Sequence, residues 1–231
     1  YKKYNFDLGI VWPVDALSAT MSGMLESKNI LVTFIMLLFF ANLTYAENDS
    51  QKYVQISNSP QTEHDKIVIY EFFWYGCPHC FNIEPTIEKI ESNLNQDTVL
   101  IKLPLALRES WVNHAKAFFS MQQMNIDNNL HSKIFEEIHI NGNRLDTKSS
   151  LVDFIDSGGF DGSSFSKNFD SFGTEIRIKK ANKLARQYQI TSVPTIIVNG
   201  KYLTSGSFVS DYDELYDVVN FLVEKERVNL R

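Results

Sequence analysis

The chain is poor in cysteine: only Cys77 and Cys80 occur among its 231 residues. A small exported domain stapled by disulfides carries several pairs, so that kind of framework is excluded. A bridge between positions 77 and 80 would close a minimal loop and add little stability. The pair therefore reads as chemistry rather than as a staple. Basic charge is short as well. Against 28 Asp and Glu stand 22 Lys and Arg, for a formal net charge of −6, which lacks the basic footprint of a nucleic-acid binder. Internal repeats and low-complexity segments are absent. A hydrophobic run long enough to span a bilayer, about 20 residues, is missing too; Ile30–Phe40 offers eleven residues, one of them Thr33.

What is present is ordinary globular material. A hydrophobic content of 44% is enough to bury a sizeable core. Residues 24–46 read as a signal peptide. Lys28 supplies the positive start, Ile30–Phe40 the apolar stretch, and Thr44-Tyr45-Ala46 small residues where a peptidase cuts. The rival reading is an uncleaved membrane anchor, which the short run and Asn42 disfavour. Residues 1–23, ahead of Met24, read as a non-native leader and stand outside the fold argument. Export places the thiol pair in an oxidising compartment.

The apolar stretch Ile67–Phe73 reads as a buried strand. Residues 77–80 open a helix with Ile83, Ile87, Ile90 and Leu94 on one stripe, kinked at Pro85. A second strand, Val99–Leu103, follows and ends at Pro104. Such a β-α-β unit favours parallel strands. From about Ser110 to Gln189 only helical signals appear. Ala115, Phe118 and Phe119 belong to one helix, and Leu130, Ile134, Phe135 and Ile138 to another. Ser150 is the expected cap of a third and Thr174 of a fourth. Strands return at Thr195–Val198 and Lys201–Leu203 around Asn199-Gly200, a hairpin signal because a type I′ turn needs positive φ twice. Asp211 then starts a final helix. The polar segment 47–66 is expected to be flexible. The expected domains are 47–106, a helical insert 107–180, and 181–231, giving an α/β (α+β) fold.

A thiol at a helix start sits where the dipole and free backbone N–H groups favour its anion. Cys77 is thus the expected nucleophile, with its sulfur exposed, and Cys80 the buried resolving thiol. Pro78 and His79 decide how acidic Cys77 is, and an imidazole N–H beside the sulfur would stabilise the thiolate. The competing reading of His79 is a surface histidine. Cys-x-x-Cys is also half of a zinc site, but no further cysteine exists. His64, His114, His131 and His139 show no paired spacing, so neither a metal nor another cofactor is expected. Glu71 interrupts an otherwise apolar strand and is a candidate buried acid.

The combination of Glu71-Phe72-Phe73-Trp74-Tyr75-Gly76-Cys77-Pro78-His79-Cys80, Val193-Pro194-Thr195 and Val198-Asn199-Gly200-Lys201-Tyr202 resembles the bacterial DsbA family of exported thiol:disulfide oxidoreductases. The resemblance spans nearly all of 53–226. It implies a thioredoxin fold with an inserted all-helical domain and a Cys77 thiol ionising near 3.5, the family's value. It also implies a cis Pro194 against the disulfide, with Val193, Thr195 and Trp74 shaping substrate access. Glu71 and Glu84 would lie beneath the site, able to relay protons to or from Cys80. The implied reaction is oxidation of newly exported cysteine-containing proteins through a mixed disulfide on Cys77. A membrane reoxidase resembling DsbB would then restore the disulfide of this periplasmic monomer. The alternatives are a reductase or isomerase of the same fold, or a redox-inert chaperone-like binding module.

Overall fold

Seven consecutive residues of the expected first strand are buried, which requires cover on both faces. The structure, a computed structural model, supplies it. It describes residues 52–57, 65–126 and 128–229. The expected leader and signal peptide lie outside the described residues. In chain order the elements are β1 (Val54–Gln55), β2 (Ile67–Phe73), α1 (Pro78–Ser92), β3 (Thr98–Pro104), α2 (Glu109–Gln123), α3 (Asn128–His139) and α4 (Lys148–Ser157). There follow α5 (Gly162–Phe169), α6 (Phe172–Gln187), β4 (Thr195–Val198), β5 (Tyr202–Thr204), a 3₁₀ turn (Gly206–Phe208) and α7 (Tyr212–Asn229).

The strands form one sheet in the order β1-β5-β4-β2-β3. β2 runs parallel to β3 and antiparallel to β4, so it is the central strand. Side chains alternate between the faces of a strand. Ile67 and Ile69 pack with Ile83 and Ile87 of α1 and Leu215 and Val219 of α7. Val68, Tyr70 and Phe72 pack on the other face with Ala185 and Tyr188, at the C-terminal end of α6. By the same parity Glu71 and Phe73 face α1. A third cluster joins Phe73, Tyr75 and both cysteines to Phe118, Phe135 and Phe165 of the helical segment between β3 and β4. Each of these buried rings contributes about 1.5–3 kcal/mol.

The β4–β5 hairpin forms as its turn demands. Asn199 and Gly200 have φ of +48° and +69°, and Lys201 N–H donates to Val198 O at 2.9 Å. Asn199 and Lys201 also donate to buried Glu226 of α7 at 2.5 and 2.6 Å, which fastens the turn to the last helix.

Several boundaries depart from expectation for local reasons. The segment expected to be flexible contains β1, whose Val54 and Gln55 pair with Leu203 and Tyr202; a two-residue edge strand carries no periodicity to read. The expected cap Ser150 is the third residue of α4. Thr147 is the cap, accepting from Ser150 N–H, while Ser150 Oγ accepts from Thr147 N–H. Likewise Ser171, accepting from Thr174 N–H, caps α6 in place of Thr174. Helix α5, capped by Asp161, had no expectation.

Candidate redox site

β2 ends at Phe73, and a turn closes when Cys77 N–H donates to Trp74 O at 3.0 Å. Cys77 is then the N-cap of α1, and Pro78 occupies the first helical position, where a missing N–H costs nothing. The sulfur therefore faces the free N–H groups of the first turn. Both cysteines are free thiols. Cys80 is fully buried. Contrary to the expected exposed sulfur, Cys77 is only 7% exposed as a residue. Cys77 and Cys80 share the aromatic cluster of Phe73 and Phe118.

The two sulfurs differ sharply in acidity. Cys77 is lowered to about 6. The Cys80 thiol hydrogen-bonding to it is the largest cause; burial opposes, and the backbone N–H groups of Cys80 and His79 and the His79 charge assist. Cys80 is pushed far up, by burial first and then by donating to Cys77. The direction for Cys77 is the expected one, and its value stands short of the family's about 3.5. The expected weight on Pro78 and His79 shifts accordingly: Pro78 and His79 are exposed, and Cys80 is the dominant partner.

Across the sulfur lies the Val193–Pro194 peptide, which is cis. Cys77 Sγ–H donates to Val193 O at 3.5 Å. A cleft of about 450 Å³ opens beside this contact, lined by His79, Ile83, Val193, Pro194, Ser207 and Tyr212. Thr195 is buried and its hydroxyl donates to Ser192 O at 2.8 Å, so that oxygen is engaged within the loop. Trp74 stacks on Trp111 at 4.6 Å between ring centroids and lines a different hollow, with Gly76 and His114. The structure thus brings Val193, Pro194 and His79 together beside Cys77 and places Trp74 in a separate hollow.

Beneath the motif lies a buried charged group. Glu71 is fully buried, and neither of its carboxyl oxygens has a hydrogen-bond partner. Desolvation raises it to about 8, with the Glu84 charge adding and Lys102 opposing. Glu84, one helical turn after Cys80, behaves oppositely. Burial works against its ionisation, yet His131 and Lys102 hold it down to about 2. Lys102 Nζ donates to Glu84 Oε1 at 3.1 Å and lies 3.4 Å from Glu91. The register explains the arrangement: Glu71 and Lys102 are partners across parallel β2 and β3, so both project towards α1. His131 Nε2 lies 3.1 Å from the same Glu84 oxygen, in a geometry too bent for a full hydrogen bond. Its Nδ1 is 2.6 Å from the Tyr75 hydroxyl. Burial lowers His131 below its ordinary value, with the Glu84 carboxylate opposing.

Lys102, His131 and His139 carried no site expectation, and Tyr75, which the sequence leaves open as either an apolar substrate surface or core, is core. Lys102 had a legible signal, since a lone cation in an apolar strand is as anomalous as Glu71 two elements earlier. The two histidines had none, because their partner lies more than fifty positions away.

Residues 68–220 match the family model of the DSBA-like thioredoxin domain. The thiol:disulfide interchange protein DsbA of Pseudomonas aeruginosa is 35% identical over 178 residues, covering 77% of this chain and 84% of the relative. DsbA of Bordetella parapertussis is 32% identical over 212 residues, covering 91% and 99%. The crystal structure of Pseudomonas aeruginosa DsbA superposes with a TM-score of 0.74 at 34% identity, over 78% of this chain and 94% of that one.

Proposed function

Since the chain belongs to the DsbA family of thioredoxin-fold thiol:disulfide oxidoreductases, we propose that its Cys77–Cys80 disulfide is donated to cysteine-containing polypeptides through a mixed disulfide on Cys77. The single observation that carries this reading is the opposed acidity of the two sulfurs, one lowered to about 6 and the other raised.

A substrate thiolate attacks Cys77. The Cys77–Cys80 bond breaks, and Cys80 leaves with the electron pair and takes a proton. Glu71, a protonated buried carboxyl beneath Cys80, is the group suited to supply it. A second substrate thiolate then attacks the substrate sulfur of the mixed disulfide and expels Cys77 as a thiolate. Two electrons have passed to the protein, and the substrate holds a new disulfide. A low thiol pKa speeds this departure and stabilises the dithiol, which makes the disulfide an oxidant.

Val193, Pro194 and the adjacent cleft are the proposed substrate-binding wall, where an extended segment would pair with the backbone; Trp74 and Thr195 shape its surroundings. The proposed insert is 107–180, between thioredoxin-like parts 47–106 and 181–231. Periplasmic residence after cleavage of 24–46, a monomeric state and reoxidation by a DsbB-like membrane partner complete the reading. Among the described residues no helix is long and apolar enough to cross a membrane.

The test is oxidation of a reduced, unfolded model protein by the purified disulfide form. Cys77→Ser should abolish transfer, and Cys80→Ser, first charged at Cys77 as the glutathione mixed disulfide, should exchange glutathione for the model protein and hold it as a mixed disulfide. A potential near −270 mV against glutathione would make the protein a reductant instead. No oxidation by the parent disulfide form, with undiminished binding of the unfolded protein by Cys77→Ser, would reduce it to a binding module.

A further inference from the structure

Two histidines of one helix grip the same residue of the redox turn. Both come from α3, in the helical segment between β3 and β4, and Tyr75 stands two positions before Cys77. The Tyr75 hydroxyl meets His131 Nδ1 at 2.6 Å, and His139 Nε2 meets the Tyr75 carbonyl at 2.7 Å. A carbonyl only accepts, so His139 carries its proton on Nε2 and donates it. The His139 ring also stacks on Phe81, the residue after Cys80, with centroids 5.1 Å apart and planes 15° apart. Tyr75 itself is fully buried and packs edge-on against Phe73 and Phe135. Side chain and main chain of one turn residue are thus anchored separately to a helix eight residues apart along its length.

The turn this clamp holds is the one that aims the first N–H groups of α1 at the sulfur. Cys77 N–H closes it on Trp74 O at 3.0 Å, and the Tyr75 carbonyl lies inside it. Two short hydrogen bonds to buried or half-buried partners fix both the Tyr75–Gly76 peptide plane and the ring.

We propose that His131 and His139 are positioning residues for the redox centre: by holding Tyr75 from both ends, the inserted helical segment sets how strongly the start of α1 stabilises the Cys77 thiolate. The inference rests on the oxidase reading and extends it. It assigns the insert a part in tuning the thiol, besides covering it. Loss of the grip lets the turn relax, and the N–H groups of His79 and Cys80 lose their aim. The thiolate is then less stable, so the dithiol is less favoured and the protein a weaker oxidant.

His139→Phe keeps the ring over Phe81 and removes the donor; His139→Gln returns an N–H donor without the ring. Thiolate absorbance gives the Cys77 titration, and equilibrium with glutathione gives the poise. In His139→Phe the midpoint should rise from about 6 by about one unit, with about a tenfold change in the glutathione equilibrium constant towards the disulfide. His139→Gln should recover most of both. Tyr75→Phe, which frees His131, should shift both readouts the same way, and it answers the question should His139→Phe fail to fold. Melting temperature alone cannot decide, since any lost contact lowers it. Titration and poise within twofold of the parent in both His139→Phe and Tyr75→Phe would overturn the clamp while leaving the oxidase reading intact. A parent protein with no glutathione-exchangeable disulfide would take down both.

Discussion

Glu71 shows what a single residue can reveal. Its place in an apolar strand marked it as anomalous, and strand parity explains the rest: residue 71 shares a face with Ile67 and Ile69, hence with α1. Its burial and its nearness to Glu84 are as expected; the approach of Lys102 was not legible, because it depends on the β2–β3 register. The fold pays for this buried acid. Its ordinary value of 4.5 is raised to about 8. Below pH 4.5 both the unfolded and the folded chain keep the proton, and nothing is lost. Above it the unfolded chain ionises freely while the folded one does not, so stability falls progressively until about pH 8. Glu71→Leu should therefore stabilise the dithiol form by about 3 kcal/mol at pH 7. The gain should shrink as pH falls to about 4.5, to the pH-independent remainder that comes from the unpaired carboxyl oxygens; urea melts at several pH values measure it. A gain independent of pH would mean that the carboxyl is ionised in the fold. The same variant should slow oxidation of a reduced model protein at neutral pH, as it removes the proposed proton donor to Cys80.

At the scale of elements, legibility followed periodicity. β2 matched its expected limits because seven buried residues leave a run with sharp ends. The Asn199-Gly200 hairpin matched because backbone conformation alone dictates its turn. Caps were misplaced by three residues at α4 and α6, since Thr147 and Ser150, or Ser171 and Thr174, present the same hydroxyl on either side of the boundary. β1 escaped because edge pairing involves two residues, and α5 because its sequence, GSSFSKNF, is mostly polar. The motif turn offers a sharper test. At Gly76 an added Cβ would fall within the indole of Trp74, so Gly76→Ala must displace that ring from Trp111. The expected cost is about 1–3 kcal/mol. Tryptophan fluorescence should shift between parent and variant if the stacked pair separates; an unchanged spectrum with unchanged stability would show that the turn yields elsewhere.

At the scale of the whole molecule, the redox state and the stability of the fold are linked through Cys77. In the dithiol form its ordinary value of 9.0 is lowered to about 6. The sign is that of any depressed acid: the contribution is complete above about pH 9 and disappears as pH falls through 6. The disulfide form has no such contribution. Reduced protein should therefore withstand more denaturant than oxidised protein at pH 8, and the gap should close towards pH 5. Parallel guanidinium melts of the two forms give the comparison; a more stable oxidised form at pH 8 would contradict the proposed driving force. The overall architecture was legible to this point, as β-α-β, helices, then β-β-α. What no sequence pattern conveyed is that α3 reaches across the helical segment to Tyr75, because both contacts join residues more than fifty positions apart.

The complete burial of Cys80 has a further consequence. Judged by leaving-group quality alone, an incoming thiolate would do better to strike sulfur 80 and eject the acidic sulfur 77. Packing shuts that approach. On the proposed mechanism, encounter is steered to sulfur 77, whose residue keeps 7% exposure against none for Cys80, and a client is tethered there before release. Direction is thus written into the site by shielding rather than by reactivity, in the manner of a turnstile that admits from one side only.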